Sequence, residues 1–400
     1  MSSVKFFKNL FPFLRQKKAS SFLLDISNQQ ISVFEFLADP LAKNIRILNS
    51  KQEAYEAFDA TEFTKAFIRL QGRFPKLSSA PVFLSLDDRF LTTATTISSV
   101  SRLLPETEID EQELESCLAK AVWELFDGAR ALNAHKMRLR EADISLLDVR
   151  VCGVTLDNHK VINPVGFSAR EIGFKINHSF GFSSLANILK NFVPLDNVVF
   201  WGEGGAASTT ALSQSVSADF SFAVIFRTHV ALYFHKGGTI RHGGTFPWGM
   251  HSVISAFGAP LGLPVADGGR LYELFLSRQI SDKAFRFLKD IFLRETRSFL
   301  ASVREAFPVF TEIPLYISSP FPLPEFLFTQ KISSPFGESY NIRPVTALAM
   351  QATTGYSIES PIAFSDYQKN ALLSAVVSST LLSLPNKLDK IARRHARWLF

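Results

Sequence analysis

Apolar residues recur along this chain with two different periods, and the switches between them mark its parts. Residues 21–36 read S-F-L-L-D-I-S-N-Q-Q-I-S-V-F-E-F: an apolar strand reaches Asp25, breaks over polar residues and returns as a second apolar strand. Residues 217–234 repeat the form about Asp219. Two such hairpins half a chain apart predict two related lobes facing a cleft. Residues 59–76 place Phe63, Phe67 and Leu70 on one face of a helix, with Pro75 beyond its end. Residues 81–86 read as a short buried strand.

The stretch from 87 to 181 has its own character. An acidic helix signal, Glu108 to Leu114, runs on through Leu118, Val122 and Phe126. Strand candidates follow at 144–156 and 171–178, with turns at Asp157-Asn158 and Asn163-Pro164-Val165-Gly166 between them. A helix crossing a small sheet fits this pattern. First-lobe patterns resume at 182. Past the second hairpin and its Gly237-Gly238 turn, a helix is predicted over Met250–Phe257. Further helices fill 259–309, and a strand at 313–318 and a helix at 366–384 close the body.

Composition alters the reading mainly at the ends. Four hundred residues predict two to four compact units, and 39 phenylalanines serve first as core filling. The net charge of +6 is unevenly placed. Residues 1–18 hold five basic residues and no acid, and residues 387–400 hold five against Asp389, so the body between them is at −3. That argues against a nucleic-acid groove on the body. Cys117 and Cys152 read as two packed thiols in a reducing compartment. The best membrane-span candidate, Ala371 to Leu384, is shorter than the ~20 apolar residues a span needs and is broken by serines. Pro12 and Arg15 interrupt the apolar N-terminal run, against a signal peptide.

The candidate chemistry lies at the hairpins. In nucleotide-binding proteins of this design the tips hold phosphate, and glycine lets backbone N–H groups approach the oxygens. Here the tips are read as Ser27-Asn28-Gln29 and Phe220-Ser221-Phe222, so the phosphate grip is weakened. Candidate nucleotide contacts are Asp25, Ser27, Asn28, Asp219 and Ser221. The alternative for each aspartate is a turn-capping residue at a strand end. The spacing of His229, His235, His242 and His251 fits no common zinc pattern, so no metal site is predicted. Glu203-Gly204-Gly205 reads as a turn. No hydrolytic or redox motif is present, so no catalytic residue is assigned.

The layout resembles the actin-like superfamily and, within it, the bacterial cell-division family of FtsA. The resemblance rests on the two hairpins, on Ile162-Asn163-Pro164-Val165-Gly166-Phe167-Ser168, which looks like the N-P-V-G-L-S turn of the FtsA insert, and on Thr245-Phe246-Pro247-Trp248-Gly249, which resembles the I-P-x-G-G segment. It implies an α/β, ribonuclease H-like two-lobed fold with an inserted small α+β domain of SHS2 type. The first lobe would comprise 20–86, 182–215 and 365–384, and the insert 87–181. The second lobe would comprise 217–258 and 310–364, with a helical subdomain at 259–309. Where the family reads D-I-G-T and D-I-G-G-G-T, this chain has Asp25-Ile26-Ser27-Asn28 and Asp219-Phe220-Ser221-Phe222. Ser318-Ser319 stand in the adenosine segment, and Gly268-Gly269-Arg270 on the nucleotide-facing helix. ATP with Mg²⁺ is the implied cofactor, and these departures imply a reduced or absent ATPase.

The last residues, 385–400, form a basic amphipathic pattern. At ~100° per residue, Leu388, Ile391, Ala392, His395, Ala396, Trp398, Leu399 and Phe400 share one arc and Lys387, Lys390, Arg393, Arg394 and Arg397 the other. This is the pattern of an interfacial membrane helix attracted by anionic lipid. The other reading is a terminal helix packed on the body. Residues 1–19 are a second basic, apolar stretch, either an auxiliary membrane contact or a disordered leader. The resemblance implies a peripheral protein on the cytoplasmic membrane face. It would tether FtsZ-type filaments and be capable of self-association into filaments. A PilM-like platform for type IV pilus assembly is the alternative.

Overall fold

Two sheets of this protein share one plan. The computed structural model describes residues 20–396 apart from 28–29, 56–59, 138, 217, 307–312, 338, 362 and 383–387. Strands β1 (Ser21–Ile26), β2 (Gln30–Asp39) and β3 (Asn44–Ala54) form an antiparallel meander. Helix α1 (Ala60–Arg73) crosses to β4 (Val82–Leu86), which pairs parallel with β1. The chain then leaves the sheet as β5 (Leu91–Ser101), α2 (Glu111–Met137), β6 (Ile144–Leu156), β7 (His159–Val161) and β8 (Glu171–Phe182). It returns through α3 (Ser183–Lys190) to β9 (Val198–Glu203), parallel to β4, and α4 (Gly204–Leu212).

The plan then repeats. A second meander comprises β10 (Phe220–Ile225), β11 (Val230–Lys236) and β12 (Thr239–Phe246). Helices α5 (Met250–Gly258), α6 (Val265–Leu276) and α7 (Asp282–Ala306) lead to β13 (Leu315–Ser318), parallel to β10. Past α8 (Phe326–Thr329) and a ribbon of β14 (Ile332–Ser333) and β15 (Ser339–Tyr340), β16 (Ile342–Pro344) joins parallel to β13. After α9 (Ala347–Thr354), β17 (Ser357–Glu359) returns to the first sheet beside β3. Helices α10 (Asp366–Leu381) and α11 (Leu388–Ala396) follow. The sheet orders are β17-β3-β2-β1-β4-β9 and β12-β11-β10-β13-β16, the same arrangement twice apart from β17. This duplicated frame is an actin-like α/β fold.

Burial explains why the elements form. The central strands β1 and β10 are covered on both faces and read as near-continuous apolar runs. Helix α1 buries Phe63, Ala66, Phe67 and Leu70, an i, i+3, i+4, i+7 stripe, against the outer face of the first sheet. Helix α10 is buried on all sides from Asn370 to Ser379. Ser365 caps its N-terminus in a capping box with Gln368. The serines that interrupt it face α4: Ser374 Oγ lies 3.0 Å from Ser208 Oγ, and Ser378 Oγ donates to the Ala207 carbonyl at 2.9 Å. One core runs across both lobes, from Leu23 and Phe36 through α4 and α10 to Phe222 and Tyr233.

The excursion between β4 and α3 is an antiparallel sheet, order β5-β8-β6-β7, with α2 on one face. Its first strand, L-T-T-A-T-T-I-S-S-V-S, has too few apolar residues to stand out in sequence. The Asn163–Gly166 turn is anchored to the start of α2, since Gly166 N–H donates to Ile109 O and Ile109 N–H to Phe167 O, both at 2.9 Å.

Helix α11 is docked on the small domain. Its apolar stripe, Leu388, Ala392 and Ala396 with Ile391 at the margin, is packed into the core of this small domain. Asp389 Oδ1 accepts from Val151 N–H at 2.7 Å, beside a bulge in β6. Arg393 Nε lies 3.2 Å from Asp148 Oδ1, and Arg394 pairs with Glu115. The helix is amphipathic, and in this structure its apolar face packs on protein. Lys390 and Arg394 stay exposed. Arg397, Trp398, Leu399 and Phe400, like residues 1–19, lie outside the described residues. No helix among the described residues is long and apolar enough to cross a membrane.

Candidate functional site

The cleft lies where the C-terminal ends of β1, β4 and β9 meet the β10–β11 hairpin. Asp25 stands near the end of β1, and Ser85 of β4, its register partner, donates to Asp25 Oδ1 at 2.8 Å. Burial of the carboxyl raises its pKa to about 6, against the opposing pull of that hydrogen bond. Ser27 follows, but its groups are engaged within the hairpin: its N–H donates to Gln30 O at 2.9 Å and Tyr55 O–H donates to its carbonyl. Asn28 lies outside the described residues.

The second hairpin departs from the sequence reading. Asp25 pairs with Ser85 across β1 and β4, and the matching pair across β10 and β13 is Val224 with Ser318. Val224, 3% exposed, therefore stands in the second sheet where Asp25 stands in the first. Phe220, Ser221 and Phe222 are strand residues, and the true tip is Phe226 to His229, closed by Phe226 N–H to His229 O at 2.9 Å. Asp219 sits at the far end of the strand, where its Oδ1 accepts from Gly237 N–H at 3.1 Å. Ser221 is buried and faces Pro314 O at 3.3 Å. A small polar residue inside a buried strand imitated a turn, so neither Asp219 nor Ser221 reaches the cleft.

The charged groups that do meet there come from segments passed over in sequence. Asp87 and Asp88 follow β4 and are buried. His229 of the second lobe places Nε2 2.9 Å from Asp88 Oδ1 and 3.3 Å from Asp87 Oδ1. Thr245 O–H donates to Asp88 Oδ2, and His242 Nε2 lies 3.8 Å from that oxygen. Arg89 donates to Thr228 Oγ1 at 3.1 Å. Burial pulls the His229 pKa down, but hydrogen bonds to Asp87 and Asp88 outweigh it and raise the value to about 9. Burial likewise pushes Asp88 up, and His229 and His242 win by holding it well below the usual carboxylate range.

Glu203, at the end of β9, is fully buried. It accepts from Thr93 N–H at 2.9 Å and from Tyr233 O–H of the second lobe. Burial lifts its pKa to about 7, partly offset by His242. The Gly204-Gly205 pair opens α4 rather than making a free turn. A Cβ on Gly205 would stand 2.1 Å from the Tyr233 ring, so this glycine admits Tyr233 to Glu203.

Outside this polar seam the cleft opens to about 640 Å³, lined among others by Asp25, Gln52, Tyr55, Arg227, Phe321 and Gln368. That volume suits a ligand of nucleotide size. The grip for MgATP fits poorly, because the counterpart of Asp25 in the second sheet is Val224 and the second tip carries Phe226, stacked on His229 at 4.6 Å.

No protein-family model and no curated protein sequence matches this chain. Solved structures with the same outline include a PilM-PilN type IV pilus biogenesis complex, at 12% identity and TM-score 0.48, covering 95% of this chain and 99% of that one. Another is the ethanolamine utilization protein EutJ from Carboxydothermus hydrogenoformans, at 10% identity and TM-score 0.38, covering 94% and 99%. A Bacteroides thetaiotaomicron protein with actin-like ATPase fold and unknown function has 11% identity and TM-score 0.38, covering 90% and 97%. Sheet order and register, rather than these distant likenesses, define the fold.

Proposed function

We propose that this protein is a non-cycling actin-like scaffold, in which the interlobe site fastens the lobes together instead of hydrolysing ATP. The observation that carries this reading is Val224 as the second-sheet counterpart of Asp25, beside a buried seam of Asp88–His229, Asp88–Thr245 and Glu203–Tyr233 contacts across the lobes. An ATPase cycle needs those lobes to rearrange about the phosphates. Here rearrangement would strand several buried polar groups. Calorimetry of the full chain with MgATP is expected to show no saturable heat. Tight binding that disappears in Asp25→Ala would overturn the reading.

In its FtsA-like form, the scaffold tethers FtsZ-type filaments through the helical subdomain at 259–309 and carries an SHS2-type insert at 87–181. It self-associates into filaments and meets anionic lipid on the cytoplasmic membrane face through 385–400. That form requires α11 to leave the insert. Liposome flotation with and without residues 386–400 tests it, and equal flotation of both chains removes the lipid contact. The docked α11 favours a second reading, a PilM-like assembly platform that needs no lipid helix of its own. Recovery of pilus-assembly proteins without an FtsZ-type protein in a pull-down would select it.

A further inference from the structure

The seam between the lobes holds a convergent set of metal-donor atoms. One carboxylate oxygen from each of Asp87 and Asp88 and a ring nitrogen of His229 all lie within 4.8 Å of one another. The His229 nitrogen is 2.9 and 3.3 Å from the two carboxylate oxygens. In a tetrahedral zinc site with ligand bonds near 2.0–2.1 Å, neighbouring donors stand about 3.3 Å apart, so small adjustments suffice.

We propose that Asp87, Asp88 and His229 form a binding site for a zinc-type divalent cation that joins the two lobes. Two donors come from the loop after β4 and one from the β10–β11 tip, so the ion is held only when the lobes are closed. On the side away from His229, Asp87 and Asp88 line a small chamber of about 20 Å³ with Asp25 and Ser85, room enough for a water.

The surroundings orient the donors. His229 Nδ1 lies 3.5 Å from Thr228 Oγ1, so Nε2 is the nitrogen turned to the carboxylates. Asp87 Oδ1 accepts from Arg89 N–H at 3.1 Å, and Asp88 Oδ2 takes the Thr245 hydroxyl, leaving Oδ1 for the ion. Charge points the same way. The described residues lining the chamber include three aspartates and no lysine or arginine. His242 stands behind the site with its side chain 6% exposed and its Nδ1 without a hydrogen-bond partner. Binding displaces the proton that Nε2 otherwise shares with the carboxylates. An imidazole donor selects zinc-type ions over Mg²⁺ and Ca²⁺.

The inference uses the seam of the proposed scaffold but does not depend on nucleotide being refused, because it is tested without nucleotide. Metal-free full-length protein is titrated with Co²⁺, read by visible absorption, and with Zn²⁺ in competition with a chromophoric chelator. One equivalent is expected, with the intensity of a low-coordinate cobalt site. Asp88→Asn and His229→Gln should each weaken binding by about 100-fold or more, while the exposed His251→Gln leaves it unchanged. Asp87→Asn provides the same comparison if another variant fails to fold, as judged by circular dichroism. Sub-stoichiometric binding, equal affinity in the folded variants, or equal competition by Mg²⁺ would overturn the proposal.

Discussion

The two hairpins occupy equivalent places in equivalent sheets and have diverged in opposite directions. The first keeps a carboxylate, Asp25, facing the cleft, with a hydrogen bond from its neighbour Ser85. The second has an apolar residue, Val224, at the same register and a histidine at its tip. The cleft carboxylates that meet that histidine across the lobes, Asp87 and Asp88, lie in the loop after β4. A duplicated frame therefore preserves position without preserving chemistry.

The largest expected effect tests whether Asp88 carries the seam. Asp88→Ala leaves His229, Thr245 and His242 without their shared partner and should cost about 3–5 kcal/mol in denaturant unfolding. A loss below 1 kcal/mol would show that the lobes do not rely on it. Asp25→Asn should differ sharply in outcome. The raised pKa of Asp25 means its ionised form is disfavoured in the fold, so at pH 8 the variant should be neutral or more stable by about 1 kcal/mol.

Glu203 gives the next effect, in pH. Its folded pKa of about 7 exceeds the unfolded value of 4.5, so the group contributes stability fully below pH 4.5 and loses it as pH rises through 7. The loss is about 3 kcal/mol across that window, and Glu203→Gln should remove this component from the stability profile. An unchanged profile in the variant would mean that Glu203 is not the group responsible.

Two glycines set the smallest scale. Gly205→Ala forces a Cβ into the Tyr233 ring and should cost about 2 kcal/mol. Gly72→Ala, in α1 with nothing within 4 Å of the new Cβ, should stabilise by up to about 1 kcal/mol. Equal effects at the two positions would deny the close fit of Tyr233 against α4.

Periodicity carried far in sequence because both lobes obey it. The β1–β2 hairpin, the α1 stripe and the long helix of the small domain are all visible as spacing. The second hairpin misled because Asp219 and Ser221 mimic the aspartate and break of the first, while register, which sequence does not print, puts Val224 at the cleft. Asp87-Asp88-Arg89 reads like any polar turn, and its importance comes from a histidine 141 positions away. The tail shows a subtler limit. An apolar stripe opposite basic residues suits a bilayer and a protein core equally well, and the partners that α11 meets in this structure, the β6 bulge and Asp148, lie more than 200 positions away in sequence.

The docking of α11 also bears on the order in which the protein is made. Asp389 reaches Val151 across 238 positions of chain, so the core of the small domain is completed only by a helix synthesised long after the rest of it. Until then the groove for Leu388, Ala392 and Ala396 lies open. A chain cut before Leu388 is expected to expose that apolar groove, the kind of surface on which chaperones and proteases act.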